Sequence, residues 1–221
     1  EWQPGSERQG LLTFWTLGSP ATYPDHARIR ALFERVSSEM QAIPGVRSVG
    51  TASSGPLFGG TETDEFVIGG DTLSARWYDV SPDYFRTLGV ALRRGRWLTG
   101  ADREGAPRVA LVNETLARRW WPGRDPIGQR VRQKNDPDAL EVVGVVADVP
   151  PFAPGRPSEP EIYWPYAQVP RWASYVVIRT TGDPLGIVRQ VRERLRAIDP
   201  DLEAANLMTM GERIDRQLRR P

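Results

Sequence analysis

Apolar positions near the two ends of the chain repeat in the same order. Residues 11–18, LLTFWTLG, form a nearly unbroken apolar and aromatic run that reads as a buried strand. After PATYPD, the residues Ile29, Leu32, Phe33, Val36, Met40 and Ile43 trace one face of a 3.6-residue period, predicting a helix over about 25–43. Pro44-Gly45 stops it, and VRSVGTAS alternates as a second strand. Toward the other end, SYVVIRT reads as a strand and Gly182-Asp183-Pro184 starts a helix whose face carries Leu185, Val188, Val191, Leu195 and Ile198. DPD ends that helix and EAANLMTM follows as a strand. In both QAIPGVRSVG and RAIDPDLEAAN a helix closes on Ala-Ile, meets a proline and extends, which marks a degenerate repeat of one strand–helix–strand unit.

Two such units pack into one sheet with both helices on one face, the ferredoxin-like split βαβ arrangement, and right-handed crossovers leave few other options. The expectation is an α+β fold. Residues 1–54 and 172–221 would form one discontinuous subdomain, and residues 55–171 an insertion with a different texture. In that middle, DEFVIGG, SARWYDVS, RVALVNE, QRVRQK, LEVVGVVADV and EIYWPYAQ read as short strands separated by turn residues. SPDYFRTLG and NETLARRWW predict short helices. VVGVVADV, apolar on both faces, predicts a central strand. Gly59-Gly60 and the proline-rich stretch near 150–160 read as loose loops.

Composition then narrows the chemistry. With 39% hydrophobic and 26% charged residues the chain is globular, and a net charge of +1 gives no reason to expect nucleic acid. The absence of cysteine excludes disulfides, thiolate metal sites and cysteine nucleophiles. No run approaches the roughly 20 apolar residues that span a bilayer. EWQPGSERQG has no signal-peptide character, and the abrupt start and end of the sequence lead to the expectation of an excerpt from a longer protein. The single histidine, His26, falls on the polar side of the first helix and reads as a solvated helix-start residue. Of the pairs Asp64 with Glu65, Asp102 with Glu104, and Asp136 with Asp138, most sit in turn-like contexts where Asp caps or reverses the chain. Neither a Walker-type loop nor a G-x-G-x-x-G motif is present, so no cofactor is implied. The terminal MGERIDRQLRR is a basic helix with Ile214 and Leu218 on one side, equally suited to solvent or to an anionic surface.

The stretch RRWWPGRDPIGQRV, residues 118–131, concentrates the remaining signal. Asn113 is placed to cap a helix in which Leu116 pairs with Trp120, and Ala117 with Trp121, at i,i+4 spacing. Pro122-Gly123 breaks the helix, Asp125-Pro126 turns the chain, and Gly128 permits a tight approach before the next strand. Packing tryptophans are the commoner reading, a sugar-binding platform the rarer. SPDYFRTLGV, ADREGAPRVALVNE, WPGRDPIGQR, VVGVVADV, EIYWPYAQ, VVIRTTGDP and IDPDLEAANLMTM, in this order, resemble the extracytoplasmic core domain of MacB-like/FtsX-like ABC transporter permeases, closest to the duplicated orphan permeases of acidobacteria.

The resemblance covers nearly the whole chain. It implies a porter-like α/β part from the two ends and an inserted, sabre-like part in the middle. It also implies a non-catalytic domain on the periplasmic side of the cell inner membrane, serving efflux or mechanotransmission. The expected partners are a second permease copy and a cytoplasmic ATP-binding subunit, reached through transmembrane segments, with a periplasmic adaptor or substrate engaged outside. Asn113, Trp120, Trp121, Pro122, Gly123, Asp125, Pro126 and Gly128 match the family signature as a structural motif, with no catalytic, metal or cofactor role to carry over. A secreted carbohydrate-binding or carbohydrate-active protein is the alternative, resting on eight tryptophans and many carboxylates.

Overall fold

The computed structural model describes residues 10–54, 63–149 and 157–218. In chain order the elements begin β1 (Leu11–Leu17), α1 (His26–Gln41), β2 (Val46–Ala52), β3 (Thr63–Ile68), β4 (Asp71–Val80) and α2 (Tyr84–Leu88). Next come β5 (Leu92–Gly95), β6 (Val109–Asn113), α3 (Glu114–Trp120), β7 (Arg130–Gln133), β8 (Ala139–Val146) and β9 (Glu161–Pro165). β10 (Ala173–Thr180), α4 (Val188–Ile198), β11 (Ala205–Thr209) and α5 (Met210–Leu218) close the chain.

The repeated units from the two ends pair as the sequence predicts. Their strands lie in the order β11-β1-β10-β2, all antiparallel, which is the ferredoxin-like order for two split βαβ units. Asp25, in extended conformation, starts α1 by accepting a hydrogen bond from Arg28 N at 2.8 Å. All six apolar residues of the predicted face are buried, and they pack with Leu12, Phe14, Val176, Ile178, Val191 and Leu195 in one cluster between helices and sheet. The second helix departs from expectation in its first turn. Asp183 caps a 3₁₀ turn, Pro184–Ile187, before α4 begins. Three residues per turn rotate the face, so Ile187 is buried and Leu185 stands 47% exposed.

The middle of the chain closes on itself. β4 pairs β3, β3 pairs β7, β7 pairs β8, β8 pairs β6, β6 pairs β9, and β9 returns to β4 as a parallel partner through Arg76↔Glu161 to Val80↔Pro165. Six strands therefore form a ring. Each sends at least one residue into a shared cluster: Phe66, Ala75, Trp77, Ala110, Val112, Val131, Leu140, Val142, Ile162 and Trp164. VVGVVADV is central as expected, β8 being paired along both edges. β5, not foreseen, takes the edge of β8 beyond β7.

The ring and the four-stranded sheet meet at the ladder pair Ala52↔Val80. They also share a core, in which Leu11, Ala52 and Val177 of the sheet join Tyr84, Phe85 and Leu88 of α2 and Val109, Leu111 and Tyr163 of the ring. Gly50 makes this approach feasible: a Cβ there would lie 2.6 Å from Tyr84 Cα. α5 is docked rather than free, with Ile214 buried and Arg213 donating to Thr13 Oγ1 at 2.9 Å. The loops expected at Gly59-Gly60 and over 150–156 fall outside the described residues, as do Arg219 and Arg220.

Candidate functional site

The signature stretch is a corner built on Asn113. Its side chain is fully buried and spends every polar atom: Oδ1 accepts from Leu116 N (2.9 Å) and Glu161 N (3.1 Å), and Nδ2 donates to Glu159 O (2.8 Å). One amide thus caps α3 and fastens it to β9. Trp120 and Trp121 are 5% and 2% exposed, meet edge to face at 6.2 Å, and belong to the cluster inside the ring. A sugar platform needs an exposed ring face, so the packing reading is the one the structure supports.

Beyond the helix the backbone turns through hydrogen bonds to Trp121 O, Asp125 Oδ1 and Pro126 O. Gly123 and Gly128 adopt φ of 70° and 79° in open surroundings, so it is the left-handed backbone that selects glycine there. Gly128 N then donates to Val142 O at 2.8 Å, returning the chain to the ring. Pro122 is exposed and Pro126 buried. A groove of about 460 Å³ runs along this corner between α3 and β5.

Where the ring joins the sheet, Asp79 is fully buried. Its carboxylate accepts from Trp164 Nε1 and, at 2.7 Å, from Arg171 Nε. Arg171 lies over the Trp77 ring at 4.3 Å, and Trp77 stacks on Trp164 at 4.9 Å. Burial pushes the Asp79 carboxyl up, against the pull of Arg171. Around the ring, Glu161 is also buried, accepting from the hydroxyls of Tyr163 and Tyr78. Burial raises its carboxyl to about 7, opposed by Tyr163, Arg76 and Tyr78.

The junction also frames a cleft of about 780 Å³, with Phe33, Glu34 and Arg30 of α1 on one side and Asp102, Arg103 and Glu104 on the other. Arg30 spans it to Glu104 at 2.8 Å. Asp102 is held below the ordinary carboxylate range: burial pushes it up, but a two-pronged bond from Arg96 and donation from Thr99 outweigh that.

The remaining candidates are brought to no common place. His26 is exposed at the start of α1, its ring 6.0 Å from Trp172. Asp136 pairs with Arg108, Glu65 with Lys134, and Asp64 accepts from Gln133. Among the described residues no group of three or more His, Asp or Glu is placed to hold a metal ion. Asp79 and Glu161 were missed, although each had a signal: in SARWYDV and EIYWP an acid shares the inward face of a period-2 strand.

A family model described as the MacB-like periplasmic core domain matches residues 3–198. The chain belongs to this family. Over 99 residues it is 30% identical to the macrolide export ATP-binding/permease protein MacB of Aggregatibacter actinomycetemcomitans, covering 44% of the chain and 14% of that relative's length. The fold is similar to the periplasmic region of MacB from Actinobacillus actinomycetemcomitans, with TM-score 0.67 at 16% identity, covering 99% of this chain and 98% of that one. It is also similar to the extracellular domain of the noncanonic ABC-type transporter YknZ from Gram-positive bacteria, with TM-score 0.59 at 15% identity, covering 89% and 99%. No helix among the described residues is long and apolar enough to cross a membrane.

Proposed function

We propose that this MacB-like core domain is the non-catalytic extracytoplasmic part of an ABC transporter permease, held on the periplasmic side of the inner membrane. The observation that carries the reading is the family match over residues 3–198. ATP hydrolysis then belongs to a cytoplasmic ATP-binding subunit, and a second permease copy completes the transporter through transmembrane segments. The macrolide-export relative supports efflux as the direction of transport. Kinship with the duplicated orphan permeases of acidobacteria belongs to the same reading.

Within it, residues 1–54 with 172–221 act as the porter-like part and residues 55–171 as the sabre-like part. The strand pairing supports this division, since β2 and β4 meet at one ladder pair. The core shared by Leu11, Val177, Leu111 and Tyr163 supports mechanotransmission, because a close-packed contact carries displacement instead of absorbing it. A periplasmic adaptor or substrate is the partner such movement would serve.

The chain has no cysteine, which makes the placement testable. Ser38, exposed on α1, is changed to cysteine in the full-length protein, and intact cells are treated with a membrane-impermeant maleimide. Labelling in cells whose inner membrane is sealed is the expected result. Labelling only after lysis overturns the reading.

A further inference from the structure

We infer that the groove beside the tryptophan corner is a docking site for an acidic peptide segment of a protein partner. The inference stands on the groove itself and goes beyond the transporter reading. Four arginines converge there from separate elements: Arg93 and Arg94 of β5, Arg118 of α3, and Arg124 of the corner. Two carboxylates, Glu114 and Asp125, face them. The floor is apolar, with half-buried Ala117 lying over the largely covered Trp121, Pro126 and Val145.

Arginine outnumbers acid in the groove, four guanidiniums to two carboxylates, and the ion pairs that form inside it are loose. Arg93 lies 3.5 Å from Glu114 and Arg94 lies 3.7 Å from Asp125, both beyond hydrogen-bond length. Arg124 is exposed, and its guanidinium makes no hydrogen bond or ion pair with the described residues. Arg118 is held more firmly, by Asp148 at 3.0 Å and Thr115 at 2.9 Å, and Asp148 is not among the groove's lining residues. A solvated arginine face accounts for scattered cations, and the C-terminus of α3 favours Arg118, but neither gathers Arg93, Arg94 and Arg124 around one apolar floor. A guanidinium presents a planar fork that suits carboxylates two bonds at a time. An acidic segment with an apolar residue between its acids satisfies the rim and the floor together. A lipid surface fits less well, because the exposed large hydrophobic residues among those described are Leu17 and Leu185, both outside the groove.

The test uses the 221-residue chain and a short dye-labelled peptide in which aspartates flank a leucine, with an asparagine version for comparison, read by fluorescence anisotropy. The acidic peptide should bind about tenfold more tightly than the neutral one. The double change Arg94→Gln with Arg124→Gln should remove about that advantage, whereas Arg192→Gln with Arg196→Gln on the exposed side of α4 should leave it. Equal loss in both pairs would mean diffuse charge attraction and overturn the assignment, as would equal binding of the two peptides. Groove-dependent binding to phosphatidylglycerol vesicles without peptide binding also overturns it, in favour of lipid. Charge reversal, Arg94→Glu with Arg124→Glu, should shift preference to a lysine-bearing peptide, a gain that a misfolded protein cannot produce.

Discussion

The four-stranded sheet and the strand ring bury their cores by different means, and they bury different chemistry. The sheet lays α1 and α4 over one face and shares its other face with the ring, and the polar side chains it buries are hydroxyls such as Thr13, Thr16, Thr51 and Ser174. The ring encloses a core of its own, and its strands bury two carboxyls and an amide, Asp79, Glu161 and Asn113, each in a hydrogen-bond network, with Glu161 on the tyrosines of the core shared with the sheet. Both faces of the ring strands are dry yet carry polar partners, the Trp164 indole inside and the Tyr78 and Tyr163 hydroxyls toward the sheet, and an acid there is costly unless fully partnered. The half of the molecule with less regular sequence is thus the one most sensitive to protonation and to loss of a single polar atom.

The largest test of that contrast removes aromatic volume from each half. Phe33→Ala in the sheet core and Trp77→Ala in the ring should each cost about 3–5 kcal/mol in denaturant unfolding. Because the cluster of Leu11, Ala52, Val177, Leu111 and Tyr163 crosses between the halves, both variants should shift one common transition. Two separable transitions, each answering to one variant, would show the halves to be independent.

The second test is protonation. Glu161 is raised from 4.5 to about 7, so the folded state holds its proton more tightly than the unfolded chain does. Its contribution is fully present below about 4.5 and is lost as pH rises through about 7, a fall of at most about 3 kcal/mol. Asp79, raised by burial, acts with the same sign. Glu161→Gln should flatten the stability profile between these limits. An unchanged slope would place the pH sensitivity elsewhere.

The smallest effect compares two helix caps. Asp25→Ala removes one exposed hydrogen bond at the sheet and should cost about 1 kcal/mol. Asn113→Ala removes a cap and strands the buried Glu161 N–H, and should cost about twice as much. Equal losses in thermal unfolding would mean that burial adds nothing at the corner.

What could be read in advance follows the range of the signal. Helix faces were legible because Ile29 to Ile43 repeat within one element, and the repeat of that pattern near Val191 and Leu195 led to the β11-β1-β10-β2 sheet. The corner was legible because Asn113, Pro122-Gly123 and Gly128 act through local backbone geometry. The exposed Leu185 was misread because a 3₁₀ turn and an α turn share the same start signal, Asp-Pro.

The sequence by itself therefore determined most of the elements, most of their buried faces and the turn chemistry of the corner, all of which depend on residues a few positions apart. Only the tertiary structure decided that β9 lies parallel to β4 and closes the ring, that β5 completes the edge of β8, and that Asp79 meets Arg171 while Arg93, Arg94, Arg118 and Arg124 share one groove. A period of two says which side of a strand is buried but not which strand lies beside it. That choice rests on contacts between residues distant in the chain, and a charge acquires its partners only once those contacts exist.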